Sequence, residues 1–325
     1  MSLRHPPAAA VAITSHNRPL RLRWLLNALL DQTFPAERFE VLVAHDSSLP
    51  DTEQLLRTHP LCVSGQLRHL SFAPGSIMPG AKRNAAWRAS AAKLILFTDD
   101  DCRPRADWIE QAVAAARAHP RAILQGRTVP DPDESATLRG APWAHTVDVR
   151  PPTAWAETCN IAYPREALEQ VGGFDPQLRV GEDTDLALRA QNEGADLIAA
   201  PGMLVYHAVE ERGLPATLRS LARWRDMPGL VKRHPEVRRH VCARFFWKRE
   251  HAALVASLVG IALARRDGRS AALTLPWLAL SLRHRGYAPR GILRSVSELP
   301  GRAAIDAVET ATLARGSIHH RTLLL

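Results

Sequence analysis

From Val11 onward, short apolar runs alternate with stretches whose apolar residues recur at helical spacing, and this alternation limits the possible folds more than any other feature. Val11-Ala12-Ile13-Thr14 predicts a first strand, Ser15 to Pro19 a loop, and Leu20 to Leu30 a helix that Pro19 is placed to begin. Phe39 to Ala44 predicts a second strand, ending in His45-Asp46-Ser47-Ser48. A helix near Asp51 to Thr58, a short strand near Leu67 to Phe72, a helix from Ala81 to Ala92, a strand from Leu94 and a helix from Trp108 to His119 follow. Strand and helix in this order give an α/β fold, with a mostly parallel sheet and helices on both faces.

The strand Leu94-Ile95-Leu96-Phe97 ends in three consecutive aspartates, Asp99, Asp100 and Asp101. The end of such a strand is where an open α/β sheet meets its ligand crevice. If the backbone stays extended, Asp99 and Asp101 point to one side and can share a hard divalent cation, while Asp100 points away. Asp also favours turns for local hydrogen-bonding reasons, so the triplet alone weighs a metal site about equally against the alternatives, a solvated turn or a receiver-type phosphorylation pocket.

A second acidic cluster, Glu182-Asp183-Thr184-Asp185, follows Gly181 at the head of a helix predicted to run to about Glu193. The positive end of the helix dipole accounts for it structurally; convergence with the triplet would instead make one carboxylate a general base. His207 ends the short strand Leu204 to His207, where it is either a metal ligand or a hydrogen-bonded surface residue. Lys82 and Arg83 at a helix start are candidate diphosphate contacts. Arg223-Trp224-Arg225 is either the wall of a sugar site or packing with snorkelling stems. Between these clusters, Val129 to Thr153 is rich in proline and reads as a long loop, Cys159 to Tyr163 restores order, and Arg165 to Val171 is a helix stopped by Gly172-Gly173.

Charge divides the chain. Asp226 to Leu325 holds 17 of the 42 Lys+Arg but 7 of the 33 Asp+Glu, which leaves 25 against 26 in the first 225 residues and puts the net charge of +9 in the tail. Residues 1–225 are therefore expected as one α/β domain and 226–325 as a basic helical subdomain. The tail lacks the interleaved aromatics of a nucleic-acid binder, and an anionic phospholipid surface suits it better. Its apolar stretches, Ala252 to Ala264 and Ala271 to Leu282 with Pro276 as a break, fall short of the about 20 residues a span requires. They are edged by Arg265, Arg266, Arg269, Arg283 and Arg285. Four scattered cysteines without C-x-x-C spacing, and an N-terminus with no signal-peptide apolar region, predict a cytoplasmic protein, peripheral on the cytoplasmic face of the membrane.

The ordered set Val11 to Arg18, Val41 to Ser48, Gly80-Ala81-Lys82-Arg83-Asn84, Phe97 to Pro104, and Gly172-Gly173-Phe174-Asp175 through Gly181 to Leu186 resembles family 2 glycosyltransferases over residues of about 10 to 225. The resemblance implies a GT-A fold, with a Rossmann-like sheet plus a C-terminal helical region. It also implies a nucleotide-diphosphate sugar donor, UDP-sugar favoured, a divalent metal (Mg²⁺ or Mn²⁺), a glycan or lipid-linked acceptor, and inversion by a hexosyltransferase. Asp99 and Asp101 resemble the D-x-D motif, with His207 joining them at the metal and Asp100 structural or at the ribose. Asp46 resembles the acidic residue that hydrogen-bonds the base, and Ser15, His16 and Asn17 the loop the base lies against. Asp183 resembles the catalytic base, with Glu182, Arg223 and Trp224 on the acceptor side. Ser220 stands where processive members carry glutamine, and His16 where many carry tyrosine.

The expected reaction is a direct displacement in which Asp183 takes the acceptor hydroxyl's proton while the metal, with Lys82 or Arg83, neutralises the departing diphosphate. A nucleotidyltransferase of similar fold and a catalytically silent binding protein are the alternatives. The first would favour a glycine-rich loop that Ser15 to Leu20 lacks; the second would not need Asp99, Asp101 and Asp183 together.

Overall fold

The computed structural model describes residues 6–325. The chain divides into two compact units, one ending at Glu211 and one spanning Arg212–Leu325. The division expected at 225/226 falls inside the second unit because Leu214–Ser220 and Leu221–Asp226 are already helical turns packed on the Pro289–His320 helix.

The first unit is built on ten strands. They are β1 (Ala9–Ser15), β2 (Phe39–His45), β3 (Leu67–Ser71), β4 (Leu94–Asp99), β5 (Cys102–Pro104), β6 (Ile123–Pro130), β7 (Ala144–His145), β8 (Ile161–Pro164), β9 (Leu197–His207) and β10 (Glu210–Glu211). Eight form one sheet in the order β3-β2-β1-β4-β8-β6-β9-β5; β10 and β7 pair separately. The half β3-β2-β1-β4 is parallel, as the alternation of strand and helix requires. β6 also pairs in parallel with β9, while β8 runs antiparallel to both its neighbours and β5 antiparallel to β9, so the sheet is mostly parallel, as expected, with short antiparallel pairings that make it mixed.

Alternation across β1 sends Ala9, Val11 and Ile13 into one apolar core and Ala10 and Ala12 into another. The first core takes Leu22, Leu25, Leu26 and Leu29 from the Pro19–Leu30 helix; the second takes Trp87, Phe97, Tyr163, Phe174 and Leu186. Phe97 stands edge-on to Phe174 at 5.2 Å and to Tyr163 at 6.0 Å. Burying each such ring contributes about 1.5–3 kcal/mol. This fastens the strand that carries the aspartates.

Three local differences have physical causes. β6 lies where no strand was expected, because its Gln125 and Thr128 read as polar but are fully buried and hydrogen-bonded. Leu197–His207 is one long strand, reaching well ahead of the short Leu204 to His207 strand expected, since its pairing with β6 continues past Pro201 to Met203 across a register irregularity. The triplet is not extended: Asp99 ends β4, and Asp100-Asp101 form the turn into β5, so alternation does not put Asp99 and Asp101 on one side.

The second unit is helical throughout its longer elements. Arg249–Leu263 leads to a 3-10 segment, Gly268–Thr274, and then to Leu275–Leu282, where Pro276 sits in the first turn and so begins a helix instead of breaking one. The Pro289–His320 helix runs 32 residues with Pro300 inside it. Among the described residues no helix is long and apolar enough to cross a membrane.

Candidate active site

Parallel pairing brings the C-terminal ends of β2, β1 and β4 side by side, with Ser15 opposite His45 and Thr14 opposite Asp99. The loops that leave these ends are stitched together. Asn17, at φ 54°, adopts the left-handed conformation that asparagine tolerates; its Oδ1 accepts from the Ser48 backbone N–H at 2.8 Å, and its own N–H donates to Ser47 Oγ at 2.9 Å. The buried Asp46 carboxylate accepts from Lys82 Nζ at 2.6 Å and from the Gly75 N–H at 3.2 Å, and its Oδ1 stands 3.0 Å from His16 Nδ1. Burial alone would raise the Asp46 carboxyl; the hydrogen bond and charge of Lys82, then His16, hold it below the ordinary carboxylate range. Lys82 also donates to the Ser15 carbonyl, so it serves this cluster and does not stand free as the diphosphate contact expected of it.

The three aspartates face three different environments. Asp99 accepts from Arg83 at 2.8 Å, and the same buried guanidinium donates to Glu182 at 2.9 Å. Glu182, expected on the acceptor side, is thereby held beside the triplet, and burial followed by the charge of Asp183 raises its carboxyl. Asp100 turns back to β1, accepting from Ser15 Oγ at 2.8 Å and the His16 N–H at 3.3 Å. Burial, then the neighbouring Asp101, pushes it up to about 7. Asp101 accepts from Arg18 at 2.5 Å, and Arg18 also reaches Glu210 at 2.6 Å.

A divalent cation fits at Asp101. His207 Nε2 lies 3.6 Å from its Oδ1, and His207 Nδ1 is 2.8 Å from the Ala208 carbonyl. A carbonyl only accepts, so Nδ1 carries a proton, and Nε2 is the ring nitrogen turned to the carboxylate. Cys102 brings its sulfur within 4.8 Å of both, but burial pushes its thiol up, leaving oxygen and nitrogen as the donors. Asp99 lies outside this group, turned to Arg83.

Asp183 occupies the first turn of the Glu182–Asn192 helix. Its Oδ2 accepts from both the backbone N–H and the hydroxyl of Thr158, each at 3.0 Å, and among the described residues its Oδ1 has no hydrogen bond. The helix is tied to the triplet by the Arg83 bridge, and the neighbouring Asn84 holds the loop ahead of the helix, donating to the Phe174 carbonyl at 2.7 Å and accepting from its N–H at 2.9 Å. A Cβ on Gly173, at φ 74°, would collide with Asn84, so glycine is required there.

The profile described as Glycosyl transferase family 2 matches residues 10–173, about half of the chain. The chain belongs to this family. A second profile, Glycosyl transferase family group 2, matches residues 94–283. Among the relatives of this family 2 member, glycosyltransferase AglE of Haloferax volcanii is 25% identical over 215 residues, which are 64% of this chain and 69% of that one. Validoxylamine A glucosyltransferase of Streptomyces hygroscopicus subsp. jinggangensis is 25% identical over 267 residues, 72% of this chain and 62% of that one. Of solved structures, the Pyrobaculum calidifontis mannosyltransferase PcManGT, in complex with GDP-Man and Mn²⁺, superposes with a TM-score of 0.57 at 18% identity, covering 98% of this chain and 88% of that one. Staphylococcus aureus TarS 1-349 in complex with UDP gives 0.52 at 17%, with 97% and 92% covered. These structures share the GT-A-like fold.

In this family 2 chain, Ser15, His16, Asn17, Asp46, Lys82 and Asp100 form one cluster, Arg83, Asp99 and Glu182 a second, and Asp101 and His207 a third. Arg223 and Trp224 belong to the second unit, where Arg223 lies over the Trp224 ring and Trp224 packs 5.3 Å from Trp247. Two residues gave no usable signal in the sequence: Arg18 reads as an ordinary loop cation, and Thr158 falls just ahead of a segment read only as a strand.

Proposed function

We propose that this protein moves a hexosyl group from a nucleotide-diphosphate sugar to an acceptor hydroxyl in a single displacement with inversion. The carrying observation is the Asp183 carboxylate, anchored through Oδ2 by Thr158 and open at Oδ1. Asp183 Oδ1 accepts the hydroxyl proton as the acceptor oxygen bonds the anomeric carbon and the bond to the diphosphate breaks. Asp101 and His207 would hold a divalent cation, Mg²⁺ or Mn²⁺, which when bound would neutralise charge on the departing diphosphate, while Asp99 stays paired with Arg83. Asp46 and Lys82 orient His16, whose ring is half exposed and offers a face for the nucleotide base. Asp100, bonded to Ser15, fixes that loop against the triplet. GDP-mannose and the UDP-sugars are the first donors to try, because the structural relatives carry GDP-Man and UDP. Thermal-shift titration with these donors, with and without Mn²⁺, tests the reading: ligand binding raises the melting midpoint by mass action. A rise with one nucleotide sugar that grows with Mn²⁺ is expected; no rise with any of them contradicts it.

The acceptor is a glycan or a lipid-linked sugar, and the second unit rests on the cytoplasmic face of an anionic membrane. Support comes from exposed Leu258, Ile261, Leu263, Leu273 and Leu275, carried on the elements beside exposed Arg265, Arg266 and Arg269. Arg285, expected at that edge, is instead bound to Glu298 at 3.0 Å. Flotation of the full chain with phosphatidylserine vesicles should fall after joint Arg265→Glu, Arg266→Glu and Arg269→Glu replacement. Equal flotation would remove the membrane from the proposal.

A further inference from the structure

A second group of ligand-type side chains stands at the ends of β2 and β3. In their parallel register Val43 faces His69 and His45 faces Ser71, so the pleat puts His45, His69 and Ser71 on the same side of the sheet. The Pro50–Thr58 helix brings Glu53 to them, with Oε1 2.7 Å from Ser71 Oγ and 3.3 Å from His45 Nε2. One ligand atom from each of His45, Glu53 and His69 lies within 4.8 Å of the other two. The two imidazole centroids are 5.9 Å apart.

The protein serves these groups only in part. His45 Nε2 stands 2.9 Å from Ser71 Oγ, but the Nδ1 atoms of both rings are buried without a hydrogen-bond partner. Buried polar atoms are nearly always bonded, and an unpartnered one calls for an explanation such as an ion. Burial lowers the proton affinity of His45, and the Ser71 hydroxyl, then burial outweighed by the two imidazoles, leaves the Glu53 carboxyl below its ordinary range.

We propose that His45, Glu53 and His69 bind one divalent transition-metal ion, Zn²⁺ by preference, at a site separate from Asp101 and His207. Two imidazoles and one carboxylate suit a borderline ion better than Mg²⁺ or Mn²⁺. The 3.3 Å between His45 Nε2 and Glu53 Oε1 matches the edge of a tetrahedron with bonds of about 2.0–2.1 Å. The ion ties β2, β3 and the helix between them into one clip. Asp46 leaves β2 directly after His45, so the clip braces the strand end that carries the proposed nucleotide site.

The test uses the full chain stripped with a chelator and titrated with Zn²⁺ against a chromogenic competitor, in an Asp101→Asn, His207→Ala background that removes the other site. One equivalent should bind. It should weaken about tenfold or more in His69→Ala and in Glu53→Gln, and be unchanged in His119→Ala, an exposed control. Co²⁺ should give the visible absorption of a tetrahedral site in the background protein and lose it in both ligand variants. Circular dichroism of the metal-free variants separates lost ligation from lost folding. No Zn²⁺ bound by the background protein, or equal affinity after His69→Ala and Glu53→Gln, would overturn the proposal.

Discussion

Both units bury carboxylates, and apart from Asp46, held low in the first, and Asp306, raised by burial in the second, they surround them differently. In the second unit Glu309 is saturated: Lys248 donates to both its oxygens at 2.9 and 2.7 Å, and His251 lies 3.3 Å away. Glu298 likewise collects Arg285 and Arg294. Burial by itself would raise both carboxyls, yet His251 and Lys248 hold Glu309, and Arg285 and Arg294 hold Glu298, below their ordinary range. In the first unit burial wins at Asp100 and Glu182, where other carboxylates crowd in, and Asp183 keeps one oxygen unbonded. The contrast separates carboxylates that pin helices from carboxylates left in a state that chemistry can use. An acidic residue whose hydrogen-bonding capacity is filled has no means of taking a proton from a substrate.

The sharpest way to break this contrast is Asp183→Asn. It keeps the shape and the Thr158 contacts but removes the base, so transfer should fall about 10²–10⁴-fold while donor binding and melting midpoint hold. Near-parental turnover would reduce Asp183 to a structural role. Glu309→Ala should do the reverse, costing about 1–3 kcal/mol of stability by leaving the buried His251 without its carboxylate partner while exposed Lys248 returns to water, and leaving donor binding by the first unit intact. A denaturation midpoint unchanged by Glu309→Ala would show that the saturated pair carries no stability.

Asp100→Asn should have a smaller, pH-dependent effect. The folded protein keeps the Asp100 proton up to about pH 7, whereas the unfolded chain releases it near the ordinary aspartate value of 3.8. The folded state therefore binds more protons between these limits, and this group's contribution makes stability fall as pH rises from about 4 to about 7. Glu309 has the opposite sign: its carboxyl is held low, so its stabilisation is present above its unfolded value and lost as pH falls. Asp100→Asn should flatten the decline toward pH 7, by on the order of 1–4 kcal/mol at most, as read from denaturant midpoints at pH 5 and pH 8. A parallel decline in the variant would mean that Asp100 is ionised throughout.

The parallel half of the sheet was readable because local signals agree there. Pro19 begins its helix, Gly172-Gly173 ends another, and β1, β2 and β4 are short apolar runs whose alternation matches two cores. Legibility failed where tertiary partners decide. Asp100-Asp101 turn because β5 must leave β4 to pair with β9, a constraint invisible at Asp99 itself. Gln125 and Thr128 hide β6 because their partners, Glu157, Thr153 and Cys159, are distant in sequence. Pro300 lies inside a helix it would end if local preference ruled. The site shows the same division: Asp46, Asp101, Asp183 and His207 were named from their motifs. Arg18, which holds two of the three aspartates, and Thr158, which aims the proposed base, depend on contacts across 82 and 25 residues of sequence.

The most direct measurement is the anomeric configuration of the sugar first released when the protein hydrolyses its nucleotide-sugar donor, followed by NMR before the anomers equilibrate. A single displacement with Asp183 as base gives the anomer opposite to that of the donor, and Asp183→Asn releases little of either. Release of the donor's own anomer, or equal release by Asp183→Asn, would contradict it.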